Sequence, residues 1–185
     1  MSQIRIIAGK LKGRKITFNS NFAIRPSTNR SKETLFNWLM LDIEGSRCLD
    51  LFAGSGSLGI EALSRGAEFV VFCEKSKKVA SSLKENIINL DCEENSKVLN
   101  IDPINSKECL VEGPFDIVFI DPPYRKNLIT TSLKLIEKQG LIKTDTLVYI
   151  EHERNMDQID NFDEWYKIKY KIEGEKEYSL LKKNV

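Results

Sequence analysis

The sequence predicts an α/β fold in which a mostly parallel sheet is covered by helices on both faces. Short apolar runs alternate with amphipathic helical stretches from residue 47 to residue 152, and this alternation is typical of parallel strands joined by crossover helices. The run 115–121 is almost wholly apolar, as expected of a strand buried on both sides. A glycine-rich turn follows the first of these runs, and 185 residues suffice to bury a sizeable core.

Residues 1–45 precede the alternating part of the chain. Residues 4–8 and 14–18 flank a short loop and predict a small β-hairpin. Apolar residues recur at helical spacing over 28–40 and predict a helix with one buried face. We therefore expect a basic N-terminal hairpin and helix ahead of the main domain, which covers 46–185.

The main domain is predicted to contain five strands, four helices and a final hairpin. The strands are expected at 48–52, 68–74, 97–102, 115–121 and 146–152. The helices are expected at 56–66, 76–90, shortly after Pro103, and over about 126–138. Residues 165–172 and 177–183 then alternate apolar and polar side chains around a turn, which predicts an antiparallel hairpin.

Composition excludes several classes of protein. No apolar stretch approaches the roughly 18 residues that cross a bilayer, and the N-terminus lacks the apolar segment of a secretory signal. The four cysteines stand far apart and there is a single histidine, so we expect no metal site. Buried thiols in a reducing cytosol fit this pattern, and the expected location is cytoplasmic.

Charge is distributed unevenly along the chain. Residues 1–32 contain eight lysines and arginines and no acidic residue, while the rest of the chain carries 20 basic and 27 acidic side chains. A polyanion would meet this local field, because charges beyond about 8 Å are largely screened at physiological salt. The segment is therefore either a solvated basic arm or a nucleic-acid contact surface, and charge alone leaves both open.

A glycine turn marks a candidate cofactor site. Gly54, Gly56 and Gly59 form a G-x-G-x-x-G string between the first strand and its helix. Such a turn lets the backbone approach a ligand closely and presents the N–H groups of the helix N-terminus. Glu74 follows about twenty residues later at the end of the second strand, where a carboxylate can bind ribose hydroxyls.

Two further acids favour a methyl donor over a nicotinamide cofactor. Asp50 lies four residues before Gly54, where a carboxylate suits the sulfonium and ammonium groups of S-adenosylmethionine but would repel a pyrophosphate. Asp102 is expected to close the third strand, where it can accept a hydrogen bond from the adenine amine.

The fourth strand ends in Asp121-Pro122-Pro123-Tyr124. Ligands of open α/β sheets bind at the carboxyl ends of the strands, so this turn should lie beside the glycine turn. The Asp121 carboxylate and the Pro122 carbonyl can accept both hydrogens of an exocyclic amine and orient its lone pair. Tyr124 offers a ring on which a flipped base can stack.

Four segments of the sequence are specific enough to indicate a family. They are R-I-I-A-G-K-L-K-G-R-K at 5–15, R-P-S-T-N-R-S-K-E-T-L-F-N-W-L at 25–39, L-D-L-F-A-G-S-G-S-L-G-I-E-A-L-S-R-G-A at 49–67 and F-I-D-P-P-Y at 119–124. With these segments the sequence resembles the RsmD family of bacterial small-subunit ribosomal RNA guanine-N2 methyltransferases, which have a Rossmann-like class I methyltransferase fold. The resemblance runs from Arg5 to about Glu153 and more loosely to the end of the chain.

The resemblance implies a role for each candidate residue. S-adenosylmethionine would be held by Asp50, Ala53, Gly54, Gly56, Glu74, Asp102 and Asp121, and would leave as S-adenosylhomocysteine. The target amine would be bound by Asp121, Pro122 and Tyr124. Ribosomal RNA would dock on Lys10, Lys12, Arg14, Arg25 and Arg30. The implied partner is the assembled or assembling small ribosomal subunit, and the expected state of the protein is a monomer.

The chain departs from the family pattern at two positions. Asn29 stands where the family usually has aspartate, which should not impair an RNA contact. Pro103 stands where a small residue is expected after Asp102, and a proline has no backbone N–H to offer the adenine.

Two other functions stay open at this point. An amino-methyltransferase acting on adenine in DNA is possible because D-P-P-Y does not separate adenine from guanine, although such enzymes usually carry an additional recognition domain. A non-catalytic RNA-binding or assembly factor could also keep the fold, although the intact site residues argue against it.

Overall fold

A computed structural model describes residues 2–18, 29–106, 112–123, 128–153 and 164–184. Within these ranges seven strands form the main sheet and two more form a separate hairpin. The main strands are β3 (Arg47–Asp50), β4 (Phe69–Cys73), β5 (Ser96–Leu99), β6 (Phe115–Ile120), β7 (Ile142–Glu153), β8 (Trp165–Glu173) and β9 (Lys176–Lys183). The hairpin strands are β1 (Ser2–Arg5) and β2 (Lys15–Phe18).

The main sheet has the order β5-β4-β3-β6-β7-β9-β8. The strands β3 to β7 run parallel, and β9 is antiparallel to both β7 and β8. The order reverses between β3 and β6, and ligands of open sheets bind at such a switch point. The predicted parallel sheet with an antiparallel C-terminal hairpin is confirmed.

Helices cover both faces of this sheet. They are α1 (Asn29–Trp38), α2 (Ser57–Ser64), α3 (Lys77–Asn89) and α4 (Leu128–Lys138). One hydrophobic cluster contains the apolar side chains of α1, α2, α3 and the β1–β2 hairpin, and a second contains those of α4. Among the helices described, none combines the length and the apolar character needed to cross a membrane.

The N-terminal hairpin is bonded to α2 and α3 by long-range contacts. The carboxylate of Glu61 on α2 accepts hydrogen bonds from the backbone N–H groups of Ile7 and Ala8, at 2.9 and 3.0 Å. The amide of Asn86 on α3 accepts from the Thr17 N–H and donates to the Thr17 carbonyl. The hairpin is therefore packed against the main domain and shares its core.

The chain after β5 differs from the prediction. The strand ends at Leu99 rather than at residue 102, and the Asn100 side chain donates to the backbone carbonyls of Glu74 and Lys75. A turn follows where a short helix was predicted after Pro103, as far as Ser106. The reason is local: the carboxylate of Asp102 accepts the Ile104 and Asn105 N–H groups, a hydrogen-bond pattern that favours turns over helices.

Candidate active site

Most of the predicted cofactor and target-amine residues that the structure describes lie where neighbouring parallel strands end. The glycine turn follows β3, Glu74 follows β4 and Asp121 follows β6. Because β3 pairs with both β4 and β6, these three segments lie side by side at one edge of the sheet. The structure thus brings together Gly54 and Asp121, which are 67 positions apart in the sequence.

The glycine turn needs its glycines for two different reasons. Gly54 and Gly56 have φ values of 52° and 80°, which side chains rarely tolerate. Gly59 has no such φ, but a Cβ atom there would lie 2.2 Å from the ring of Phe72 on β4. The glycines therefore shape the turn and let α2 pack closely on the sheet.

Ser57, in the first turn of α2, was not singled out by the sequence analysis. Its hydroxyl group is buried and has no hydrogen-bond partner in the described part of the chain. A buried hydroxyl without a partner costs free energy, so a ligand atom at this helix N-terminus would be favourable. The bare glycine backbone and this hydroxyl fit the polar methionine end of S-adenosylmethionine.

Asp50 is buried at the base of the turn, with 2% of its surface exposed. Its carboxylate accepts a 3.1 Å hydrogen bond from the N–H of Gly59, which ties β3 to α2. Burial raises the pKa of this carboxyl to about 7, although the Gly59 N–H opposes the change. Asp50 therefore holds the turn in place, and its direct contact with a cofactor stays a prediction.

Glu74 has the position that the sequence predicts, whereas Asp102 does not close a strand. The Glu74 carboxylate accepts hydrogen bonds from the N–H groups of Gly54 and Ser76, at 3.1 and 2.7 Å. Asp102 lies three residues beyond β5, and hydrogen bonds to its carboxylate, chiefly from the Asn105 amide, lower its pKa. Its predicted contact with adenine competes with these local bonds.

The target-amine residues are described only in part. Asp121 is half-buried directly after β6, Pro122 is buried and Pro123 is exposed. Tyr124 lies outside the described residues. The rigid Asp121-Pro122 step is thus placed beside the glycine turn, where a methyl acceptor would have to bind.

The basic residues that are predicted to bind RNA and that the structure describes lie in two separate places. Lys10, Lys12 and Arg14 belong to the hairpin loop, which contacts the last turns of α2 and α3. The Arg14 guanidinium donates to the Asn89 carbonyl at the C-terminus of α3 and pairs with Asp91 at 3.4 Å. Arg30 on α1 is 81% exposed. Arg25 lies outside the described residues.

Sulfur chemistry has no support at this site. Burial raises the pKa of the thiols of Cys48 and Cys73 to about 12, so both are protonated at neutral pH. In the described ranges no three histidine, cysteine or acidic side chains come together in a metal-binding cluster.

The architecture and this edge of the sheet define the class I methyltransferase fold. The solved Escherichia coli protein yhhF has the same fold, with a TM-score of 0.87, 36% identity and coverage of 98% of both chains. The structure thus confirms the predicted fold class.

Sequence comparison then gives the family. Residues 4–182 match the family described as "Conserved hypothetical protein 95". The Haemophilus influenzae "Ribosomal RNA small subunit methyltransferase D" is 42% identical over 96% of this chain and 93% of its own length. The Escherichia coli (strain K12) protein of the same name is 41% identical over 82% and 75% of the two chains. The chain belongs to this family of methyltransferases.

Proposed function

We propose that this protein transfers the methyl group of S-adenosylmethionine to the exocyclic N2 amine of a guanine in small-subunit ribosomal RNA. Membership in the family supports the reaction class and the RNA substrate, since relatives that are 41–45% identical are named as small-subunit ribosomal RNA methyltransferases. The observation that carries the proposal is the position of Asp121 and Pro122 directly beside the glycine turn.

The cofactor would be held by Ala53, Gly54, Gly56, Ser57 and Glu74, with Asp50 fixing the turn from below. When bound, S-adenosylmethionine supplies an electrophilic methyl group on a sulfonium. The N–H groups at the start of α2 suit its carboxylate, and the Glu74 carboxylate suits its ribose hydroxyls. The protein's share of this step is to fix the donor at the edge of the sheet next to β6.

Asp121 and Pro122 act on the acceptor. The Asp121 carboxylate and the Pro122 carbonyl accept the two amine hydrogens, which turns the nitrogen lone pair out of conjugation and towards the donor. The amine becomes acidic only as it is methylated, so a weak base is sufficient to receive the proton afterwards. The main contribution of Asp121 is to stabilise the positive charge that develops on the nitrogen.

We further propose that residues 1–45 dock the RNA and that residues 46–185 carry out the chemistry. Helix α3 contains 13 residues and is therefore about 20 Å long. The hairpin loop with Lys10, Lys12 and Arg14 lies at its far end, so these residues would contact RNA well away from the target base. Such remote contacts fit a substrate that is folded ribosomal RNA in an assembled or assembling subunit, modified by a monomer in the cytoplasm.

The test is mass-spectrometric mapping of small-subunit ribosomal RNA from strains with and without the gene. We expect one N2-methylguanosine to be lost without the gene and restored when purified protein and S-adenosylmethionine are added to isolated subunits. Protein-free ribosomal RNA and free guanosine should be poor substrates. Unchanged RNA methylation would contradict the proposal, and N6-methyladenine lost from DNA instead would favour the alternative reaction.

Calorimetry with S-adenosylmethionine distinguishes the enzyme from a non-catalytic assembly factor. Measurable binding together with methyl transfer to subunits supports the proposal. Subunit binding without cofactor binding would contradict it.

A further inference from the structure

Two acidic residues, Asp121 directly after β6 and Glu151 near the end of β7, occupy neighbouring positions in the sheet. The register pairs Phe119 with Tyr149 and Ile120 with Ile150, so the next step along both strands brings Asp121 beside Glu151. Paired residues of parallel strands point to the same face and are about 5 Å apart. Phe119 and Tyr149 both belong to the hydrophobic cluster on the α1 face of the sheet. Asp121 and Glu151 therefore leave the sheet on that same face.

Glu151 is held by polar partners although only 2% of its surface is exposed. Its carboxylate accepts a 2.7 Å hydrogen bond from the ammonium of Lys176 on β9 and a longer one, of 3.4 Å, from the hydroxyl of Tyr149. Burial, followed by the charges of Glu151 and Asp121, raises the pKa of Tyr149 well above its ordinary value. Both carboxylates are thus near one buried phenol, which agrees with the strand register.

Glu151 lies on the side of Asp121 that the cofactor does not occupy in the proposed function. The glycine turn and Glu74 follow β3 and β4, whereas Glu151 is on β7, on the other side of β6. A base whose amine is held at Asp121 and faces a donor over β3 must extend away from β3. It would extend towards β7 and Glu151.

We propose that Glu151 is the residue that selects guanine, by accepting the N1–H of the base whose N2 amine is bound by Asp121. This inference rests on the proposed function. Guanine presents N1–H and N2–H as adjacent donors, and carboxylates on two residues whose backbones are about 5 Å apart can accept both. Adenine has a lone pair at N1 beside its amine, which a carboxylate repels. The D-P-P turn alone does not make this distinction.

Lys176 gives Glu151 a way to receive a base. Its side chain is 27% exposed, so the ammonium can turn towards water on its flexible stem. The N1–H of guanine would then replace the lysine as a donor to the same carboxylate. A base without that hydrogen would leave the buried charge without this donor, and sites built in this way reject such analogues strongly.

The test varies the base and the side chain together. Small subunits are reconstituted with ligated ribosomal RNA that carries guanosine, 2-aminopurine riboside or inosine at the mapped target position. 2-Aminopurine keeps the amine but has no N1–H, whereas inosine keeps N1–H but has no amine. We expect the wild-type protein to methylate 2-aminopurine at least about 100-fold more slowly than guanosine. Inosine should not react.

The variant Glu151→Gln should change this preference because its amide can donate to the N1 atom of 2-aminopurine. We expect the guanosine to 2-aminopurine rate ratio to fall at least about tenfold, with cofactor affinity unchanged. The matched control is Glu177→Gln on β9. Glu177 is also buried and pairs with Lys167 at 2.9 Å, but it lies on the other face of the sheet from Glu151. Its rate ratio should equal that of the wild type.

The ratio separates recognition from damage to the fold, because partial unfolding lowers both rates together. If Glu151→Gln does not fold, Glu151→Asp keeps the charge and should react more slowly while retaining the preference for guanosine. Equal wild-type rates on guanosine and 2-aminopurine, or a wild-type ratio in Glu151→Gln, would overturn the inference. Wild-type failure to methylate guanosine would instead count against the proposed function.

Discussion

At the edge where the parallel strands end, the cofactor half and the target half use different polar groups. On the cofactor half, after β3 and β4, the carboxylates of Asp50 and Glu74 are bonded to backbone N–H groups, those of Gly59 and Gly54. On the target half, after β6 and β7, the buried carboxylate of Glu151 is bonded to another side chain, the ammonium of Lys176.

This difference indicates that one half holds the cofactor and the other half distinguishes between bases. Backbone groups fixed by glycine geometry form a rigid holder that suits one invariant ligand, S-adenosylmethionine. Paired side chains can exchange partners and can therefore discriminate between bases. Variants in the cofactor half should change stability and cofactor affinity, whereas variants in the target half should change turnover.

The largest effect is expected for Asp121→Ala on the target half. Loss of the carboxylate should lower methylation of subunits by at least about 1,000-fold, because the charge on the attacking nitrogen is no longer stabilised. The affinity for S-adenosylmethionine, measured by calorimetry, should stay within a few-fold of wild type.

The control for Asp121→Ala is Asp116→Asn at the opposite end of β6, where the carboxylate accepts the Arg47 N–H. It should keep near-normal turnover per folded molecule. Loss of cofactor binding in Asp121→Ala would show that the two halves are not separable.

Gly59→Ala should affect the cofactor half through packing. The new Cβ would lie 2.2 Å from the Phe72 ring, so α2 must move away from the sheet. We expect a loss of about 1–3 kcal/mol in the free energy of unfolding and a fall in Tm of about 3–10 °C, with weaker cofactor binding. Thermal unfolding measures the change. Ser81→Ala, on the exposed face of α3, is the control, and an unchanged Tm in Gly59→Ala would contradict the described packing.

Asp50 makes the folding stability of the protein depend on pH. Its pKa of about 7 exceeds the ordinary value of 3.8. Between these two pH values, the folded protein therefore keeps a proton on Asp50 that the unfolded chain has already lost. Its contribution to folding stability is therefore greatest below pH 4, declines as pH rises towards 7, and levels off above that. Denaturant unfolding should show this decline in wild type and not in Asp50→Asn.

The same group should respond to a cationic ligand. If S-adenosylmethionine binds beside Asp50, it favours the ionised carboxylate, so binding near pH 7 should release a proton and tighten as pH rises. Calorimetry in buffers of different ionisation enthalpy measures this release, and the comparison with Asp50→Asn cancels protons lost by the ligand itself. Equal proton release in both proteins would contradict a direct contact.

The smallest effect is expected for Lys12→Glu in the hairpin loop, which is far from both halves. The exposed lysine would attract the RNA phosphates only electrostatically. Its reversal should therefore lower the affinity for subunits a few-fold and make the salt dependence of that affinity shallower. Turnover at saturating subunits should not change. Filter binding at several salt concentrations measures both, and an unaltered salt slope would show that the loop does not touch RNA.

The parts of the molecule that follow from local sequence were predictable. The apolar run before Gly54 and the spacing to Glu74 identify the β3 turn and its acid, because each depends on residues close together in the chain. Asp102 was placed wrongly at a strand end because β5 stops at Leu99, where the Asn100 side chain donates to the backbone carbonyls of the two residues that follow β4, and no local pattern shows such a contact.

The contacts between distant segments were not predictable. The Glu61 carboxylate on α2 bonds to the N–H groups of Ile7 and Ala8, which are 54 and 53 residues away in the sequence, and no sequence motif predicts such a contact. Glu151 was visible within a predicted strand, but its importance appears only when the register with β6 places it beside Asp121.

A crystal structure with a non-reactive analogue of S-adenosylmethionine and guanosine would show the arrangement of donor and acceptor itself. We expect the analogue on the glycine turn and the N2 amine on Asp121 and Pro122, with the amine nitrogen about 3–3.5 Å from the position of the transferable methyl carbon. A methyl donor on the far side of the sheet, or a guanine bound away from Asp121, would contradict it.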